Sequence, residues 1–79
     1  EPFSGIDPLA VNDLKSLIFN LSNNGVGILI TDHNVRETLS ITNKSYVLTE
    51  GKLLAYGLSS ELAKNKSVKK FYLGDNFIL

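Results

Sequence analysis

The chain has 79 residues, and its eight basic and eight acidic side chains give a formal net charge of zero. This balance argues against a general nucleic-acid-binding surface. Cysteine is absent and histidine occurs once, which excludes a disulfide framework and argues against a structural zinc site. No apolar run approaches the roughly 20 residues of a membrane-spanning helix. Methionine is also absent and the chain begins with Glu1, so we expect a processed product or a piece of something longer.

The first predicted element is a helix over residues 8–24. Asp7 is a good N-cap, and Pro8 suits the first helical position because its missing N–H would be unpaired there in any case. Apolar residues then recur at helical spacing. Gly25 suits a left-handed cap that ends the helix.

A short apolar run, residues 25–30, follows the helix. It is apolar on both alternations, which predicts a strand buried on both faces, as in a parallel α/β sheet. Polar residues 31–34 come next, at the carboxyl end of the strand, where ligands gather in such sheets. A second helix over about residues 35–41 should be capped by Asn34, with Glu37 placed to bond back to the cap.

The remaining chain predicts a β-hairpin and short helices. Residues 45–49 and 52–56 form the strands, with a turn at Glu50 and Gly51. Ser59 or Ser60 should open a helix that reaches about residue 64. Ser67 should cap another that Gly74 closes. The apolar tail, residues 75–79, should pack on something.

The order of the predicted helices and strands along the chain, together with the composition, predicts an α/β layered fold. The strand at 25–30 would need neighbours that this chain does not supply, which again suggests missing sequence. Most of the basic excess of the second half lies in four lysines, which we interpret mainly as a solvated helix face: Lys64, Lys66, Lys69 and Lys70.

His33 is the main candidate for chemistry. Its ordinary pKa lies near neutrality, so it could donate a hydrogen bond to a phosphate or act as an acid–base group. A loop histidine beside a helix cap is an equally good interpretation, and Asp32 is better explained as a turn former. Glu1 carries no signal by itself. Residues 4–7 read as a capping loop, and no P-loop, zinc-protease or nucleophile motif is present.

Read together, three segments resemble the ATP-binding subunits of ABC transporters. They are E-P-F-S-G-I-D-P at 1–8, G-I-L-I-T-D-H-N-V-R-E-T-L at 27–39, and the terminal Y-L-G-x-x-F-x-L at 72–79. The likeness covers the whole chain, and it is greatest to the ATPases of lipopolysaccharide export. The ATPases of branched-chain amino acid importers are close relatives and remain an alternative.

The resemblance implies a role for six residues. Glu1 resembles the catalytic glutamate that ends the Walker B motif and activates the attacking water, and His33 resembles the switch histidine that contacts the γ-phosphate. The D-loop, which crosses the interface of the ATPase dimer, corresponds to four residues: Ser4, Gly5, Ile6 and Asp7. Leu58 stands where relatives often have a Ser or Thr cap, so the cap would shift to Ser59.

The resemblance also implies a fold: residues 1–79 would form the C-terminal half of a P-loop NTPase domain, with an incomplete parallel sheet, a hairpin and short C-terminal helices. The Walker A loop, Q-loop, signature motif and Walker B aspartate would lie upstream of Glu1. The parent would bind ATP and Mg²⁺, form a homodimer and associate with transmembrane permease subunits at the cytoplasmic face of the inner membrane.

For the 79-residue chain alone we expect no cofactor, no metal, no nucleic acid and no ATP turnover. Because the Walker A strand and most of the Walker B strand would be missing, the chain should rearrange, self-associate through open strand edges, or accompany a remainder of the protein. A non-enzymatic α/β interaction module, with His33 and Asp7 as mere caps, is the alternative from another class.

Overall fold

The computed structural model describes residues 1–74, 76 and 77. These fall into two compact units, Glu1–Asn34 and Val35–Leu79. Of the predicted tail, Asp75, Ile78 and Leu79 lie outside the described residues. Among the helices of the part described, none is long and apolar enough to cross a bilayer.

The first unit contains helix α1 (Pro8–Asn23), which confirms the predicted helix. The Asp7 carboxylate accepts a hydrogen bond from the Ala10 N–H at 3.0 Å, so the predicted N-cap is present. Gly25 has a positive φ of 85° after the last turn, as expected for a residue ending a helix. No residue of α1 is buried, and two leucines of its apolar face, Leu17 and Leu21, are 55% and 41% exposed.

The predicted buried strand at residues 25–30 is wrong. The segment has no regular secondary structure and lies in no sheet of the described residues, and Leu29 is 93% exposed. A strand that is apolar on both faces needs hydrogen-bonded neighbours and cover on each side. In residues 1–74, 76 and 77 the sheet present has two strands, both from the second unit, so the segment lacks those neighbours.

The second unit contains helix α2 (Val35–Ile41) and a hairpin of strands β1 (Lys44–Thr49) and β2 (Lys52–Leu58). These confirm the second helix and the hairpin. The strands are antiparallel. Glu50 and Gly51 both have positive φ, 51° and 74°, which is the backbone of a type I′ turn. The predicted parallel sheet is absent from the described residues.

Two short helices and a π-helical segment complete this unit: α3 (Ser59–Leu62), α4 (Lys66–Val68) and the π-helical Lys69–Leu73. The predicted cap at Ser67 is wrong. Instead the Asn65 amide oxygen accepts from the Val68 N–H at 3.1 Å, so the helix begins earlier. Gly74, at a φ of 91°, ends the π-helical segment as expected.

The expected shift of a cap to Ser59 is also wrong. Leu58 is the N-cap of α3 without a side-chain bond, and Ser59 is the first helical residue. The Ser59 hydroxyl is buried and lies 2.7 Å from the hydroxyls of both Thr42 and Ser45, which are 2.8 Å from each other. This triangle of hydroxyls joins α2, β1 and α3, and it explains why a serine is buried at that position.

The core of the second unit is formed by six buried apolar side chains from the helices, the π-helical segment and the sheet. They are Leu39, Val47, Leu62, Ala63, Val68 and Leu73. Four partly buried apolar residues pack against them: Val35, Leu54, Ala55 and Phe77. The packing of Phe77 confirms, for that residue, the prediction that the tail would be covered.

Candidate functional site

The candidate site lies within the first unit, where the Asp32 carboxylate connects two distant loops. One oxygen accepts a hydrogen bond from the Asn34 N–H at 2.7 Å, which is the local turn expected of an aspartate. The other oxygen accepts from the Phe3 N–H at 3.0 Å. Phe3 is itself buried. Asp32 therefore fixes residues 1–3 beside residues 32–34.

This connection places the side chains of Glu1 and His33 in contact. A Glu1 carboxylate oxygen pairs with Nδ1 of His33, although the residues are 32 positions apart. Both side chains remain open to solvent, at 56% and 74% exposure. The two residues that the sequence singled out for chemistry are therefore adjacent and accessible, which a ligand-binding pair requires.

The hydrogen bond that His33 donates to Glu1, together with the negative charge of Glu1, raises the pKa of His33 above its ordinary 6.5. The imidazolium form is thereby favoured near neutral pH. With Nδ1–H donated to the carboxylate, a protonated ring keeps Nε2–H as a second donor. The pair can thus present a carboxylate oxygen and an N–H donor at the same place.

Burial acts to raise the pKa of Asp32, but the hydrogen bonds from the N–H groups of Asn34 and Phe3 outweigh it. The net pKa is lowered from 3.8. The Asp32 side chain is 0% exposed. Both oxygens of this buried, ionised carboxylate accept backbone N–H groups, so Asp32 does not contact a ligand. It acts as a positioning residue.

Residues 4–7 form a turn and loop between Glu1 and α1. The Ser4 N–H donates to the Glu1 carbonyl at 3.2 Å, and Gly5 has a φ of 70°, where a Cβ would be strained. Ser4, Gly5, Ile6 and Asp7 are all exposed. Asp7 caps α1, while the other three present an open surface.

One group among the described residues could offer three metal ligands: atoms of Glu1, Asp32 and His33 lie within 4.8 Å of one another. The hydrogen bonds already account for this cluster. Both Asp32 oxygens accept backbone N–H groups, and Nδ1 of His33 pairs with Glu1. The donor set therefore fits a hydrogen-bonded network better than a metal centre.

The resemblance pointed to Glu1 and His33, whereas the sequence did not predict the second contact of Asp32. A turn-forming aspartate is visible in the sequence, because its bond to Asn34 is local. Its bond to Phe3 spans 29 residues, and no local pattern encodes it. A large apolar residue directly after Glu1-Pro2, destined for burial, was the available signal.

Comparison with curated proteins finds relatives that align with the whole chain, although no protein-family model matches it. The chain is 47% identical over all 79 residues to the lipopolysaccharide export system ATP-binding protein LptB of Escherichia coli. The corresponding protein of Acidithiobacillus ferridurans is 49% identical over 77 residues. Over its whole length the chain is similar to ABC transporter ATP-binding proteins.

An uncharacterized ABC transporter ATP-binding protein of Rhizobium meliloti is also similar, at 46% identity over the whole chain. The chain spans about a third of the length of these ABC transporter ATP-binding proteins: 33% of the E. coli protein, 32% of the A. ferridurans protein and 29% of the R. meliloti protein. The resemblance noted in the sequence is therefore confirmed at the level of the family.

Proposed function

We propose that this chain carries the carboxylate–histidine pair of an ABC transporter ATPase, with residues 1–79 forming part of one ATPase domain. The contact between Glu1 and His33 is the observation that carries the proposal. It joins two residues that resemblance alone had assigned to the same reaction, and it leaves both accessible.

The chemistry of the pair suits hydrolysis of a phosphoanhydride. Phosphoryl transfer depends mainly on positioning and on stabilising charge at the transferred group. Glu1 can accept a hydrogen bond from a water and orient it for attack, while Nε2–H of His33 can donate to a phosphate oxygen. The Glu1 contact supports the second role by favouring the doubly protonated ring.

ATP and Mg²⁺ would be the nucleotide and ion of the whole protein. Mg²⁺ would neutralise charge on the β- and γ-phosphates. The sequence contains no G-x-x-x-x-G-K-[ST] loop to cradle phosphates. This chain's contribution is therefore confined to the water and the γ-phosphate, through Glu1 and His33.

The exposed residues 4–7 are proposed as the contact with a second ATPase subunit. Ser4, Gly5 and Ile6 are open to solvent, and the turn joins them to Glu1 through the hydrogen bond from the Ser4 N–H to the Glu1 carbonyl. The whole protein would work as a homodimer bound to transmembrane permease subunits, peripheral to the cytoplasmic face of the inner membrane. Similarity to two proteins named for lipopolysaccharide export supports lipopolysaccharide as the cargo.

A chimera tests the proposal. The matching segment of the E. coli LptB protein is replaced by this chain, and ATP turnover is measured for the chimera and for its Glu1→Gln and His33→Ala variants. Loss of a positioned base or donor lowers turnover by roughly a hundredfold or more. Glu50→Gln, at the hairpin turn, is the matched control and should leave turnover unchanged.

The outcomes separate the alternatives. A chimera whose turnover is insensitive to His33→Ala, with its fold retained, would favour a non-enzymatic interaction module. A chimera that hydrolyses ATP but fails to support lipopolysaccharide export in cells lacking their own LptB would refute the proposed cargo alone. The hypothesis to test next would then be that the chain belongs to the ATPase of a branched-chain amino acid importer.

A further inference from the structure

A compact basic surface lies at the junction of α3, α4 and the π-helical segment, far along the chain from Glu1 and His33. Residues 64–70 contain four lysines and no acidic residue. All four line one open hollow of about 580 Å³: Lys64, Lys66, Lys69 and Lys70. We call this set the lysine hollow. Net charge is zero for the chain, so this concentration is local.

The fold itself directs these lysines to one place. Val68 and Leu73 are buried in the core of the second unit, which fixes the inner side of the segment. Lys64, Lys66 and Lys70 are exposed, and Lys69 is half-buried. Four ammonium groups around one hollow repel each other, so the arrangement gains most from an anionic partner that they share.

Phe71 is a second and independent feature of the same surface. Its side chain is 64% exposed, although a phenyl ring gains from burial. The Lys70 ammonium lies 5.6 Å from the centre of the ring, so the aromatic group directly adjoins the lysine hollow. An exposed ring beside clustered lysines is the composition of surfaces that bind anionic membranes.

We propose that the lysine hollow and Phe71 form a docking surface for an anionic phospholipid bilayer. The lysines contact the phosphate groups, and Phe71 enters the boundary between headgroups and acyl chains. Charge complementarity selects an anion, and the exposed ring selects a membrane over a dissolved phosphate, which would leave the phenyl group in water. This surface goes beyond the proposed ATPase function and would stand if Glu1 and His33 had no part in hydrolysis.

Co-sedimentation of the 79-residue chain with vesicles provides the first test. Vesicles of phosphatidylcholine are compared with vesicles of equal parts phosphatidylcholine and phosphatidylglycerol, with a vesicle-free sample to measure self-association. We expect binding to the anionic vesicles only, and weaker binding as salt shortens the range of the charges. Lys66→Gln and Lys70→Gln should each lower the partition about fivefold.

Lys52→Gln is the matched control, since it removes the same charge from β2, outside the hollow. Lys52→Gln should change the partition less than twofold, because Lys52 lies outside the hollow and we expect it not to face the membrane. An equal loss for Lys52→Gln would mean that only net charge matters, and it would overturn the proposal. Equal binding to both vesicle types would also overturn it.

Phe71→Trp gives a second readout, because the chain contains no other tryptophan. The introduced indole takes an exposed position, and its emission should shift to the blue with anionic vesicles alone. Tripolyphosphate and a DNA duplex are the competing probes. A shift with either of them, and none with vesicles, would assign the hollow to soluble phosphate or to nucleic acid instead of a membrane.

Discussion

Replacing Asp32 by Asn separates the two hydrogen bonds that build the candidate site. The two carboxylate oxygens accept from Phe3 and Asn34. The two N–H donors lie on different oxygens, and asparagine replaces one of these oxygens by an NH₂ group, so only one donor keeps its acceptor. We expect the oxygen to keep the bond to Asn34, because that donor is two residues away. The Phe3 N–H then faces an NH₂ group and loses its partner.

The size of the effect follows from the charge of the acceptor. A hydrogen bond to a charged group contributes roughly 1.5–3 kcal/mol. Because about 1.4 kcal/mol corresponds to a factor of ten, exchange of the Phe3 amide hydrogen should accelerate about 10- to 150-fold. The Asn34 amide should change less, since its acceptor changes from charged to neutral but remains in place.

Hydrogen exchange followed by NMR, amide by amide, measures both effects in the same sample. Asp13→Asn, on an exposed position of α1, makes the same chemical change without touching the site. Since Phe3 follows Glu1 by two residues, Asp32→Asn should also loosen the Glu1 contact and let the pKa of His33 fall toward 6.5. If the Phe3 amide exchanges equally fast in the wild-type chain and in Asp32→Asn, then Asp32 does not hold residues 1–3 beside residues 32–34.

Three further predictions address the charge pair, the core and the isolated chain. Glu1→Gln should lower the pKa of His33, read from the NMR signal of the single histidine; because that pKa is raised in the folded chain, the contact stabilises fully below pH 6.5 and weakens as pH rises through the raised value. Ser59→Ala should lower the free energy of unfolding in urea by about 2 kcal/mol through two lost buried hydrogen bonds, whereas the exposed Ser60→Ala should change it by less than about 0.5 kcal/mol; equal effects would rule out the hydroxyl triangle. The isolated 79-residue chain should show no ATP turnover and should sediment as more than a monomer, since side chains such as Leu29 are exposed; a monodisperse monomer or measurable turnover would contradict this.

Local signals in the sequence predicted most of the elements. Asp7 before Pro8 located the start of α1, and the Glu50-Gly51 pair located the hairpin turn, because each depends on groups only a few residues apart. The wrong prediction of a cap at Ser67 also relied on local signals alone. Asn65 and Ser67 are both good caps by type, and the burial of Val68 in the core decides between them.

The sequence pattern that depends on other strands of a sheet gave a wrong prediction. Residues 25–30 have the composition of a buried strand, but composition states only what a segment would do if neighbours were present. The described chain offers β1 and β2, which pair with each other. Residues 25–29 are left exposed and outside any sheet of the described chain, so the strand that the composition predicted does not form here.

The candidate site is present although the predicted strand at residues 25–30 is not. The contribution of the Asp32 hydrogen bonds to the site's geometry can therefore be separated from that of a sheet. The contact between Glu1 and His33 depends on Asp32, whose bonds to Phe3 and Asn34 are made by loop backbone alone. A sheet could add rigidity to such a site, but it is not what brings the carboxylate to the imidazole. We therefore infer that Asp32 sets the spacing of the pair, and that the sheet of a complete ATPase domain would supply the surroundings in which the pair meets a nucleotide.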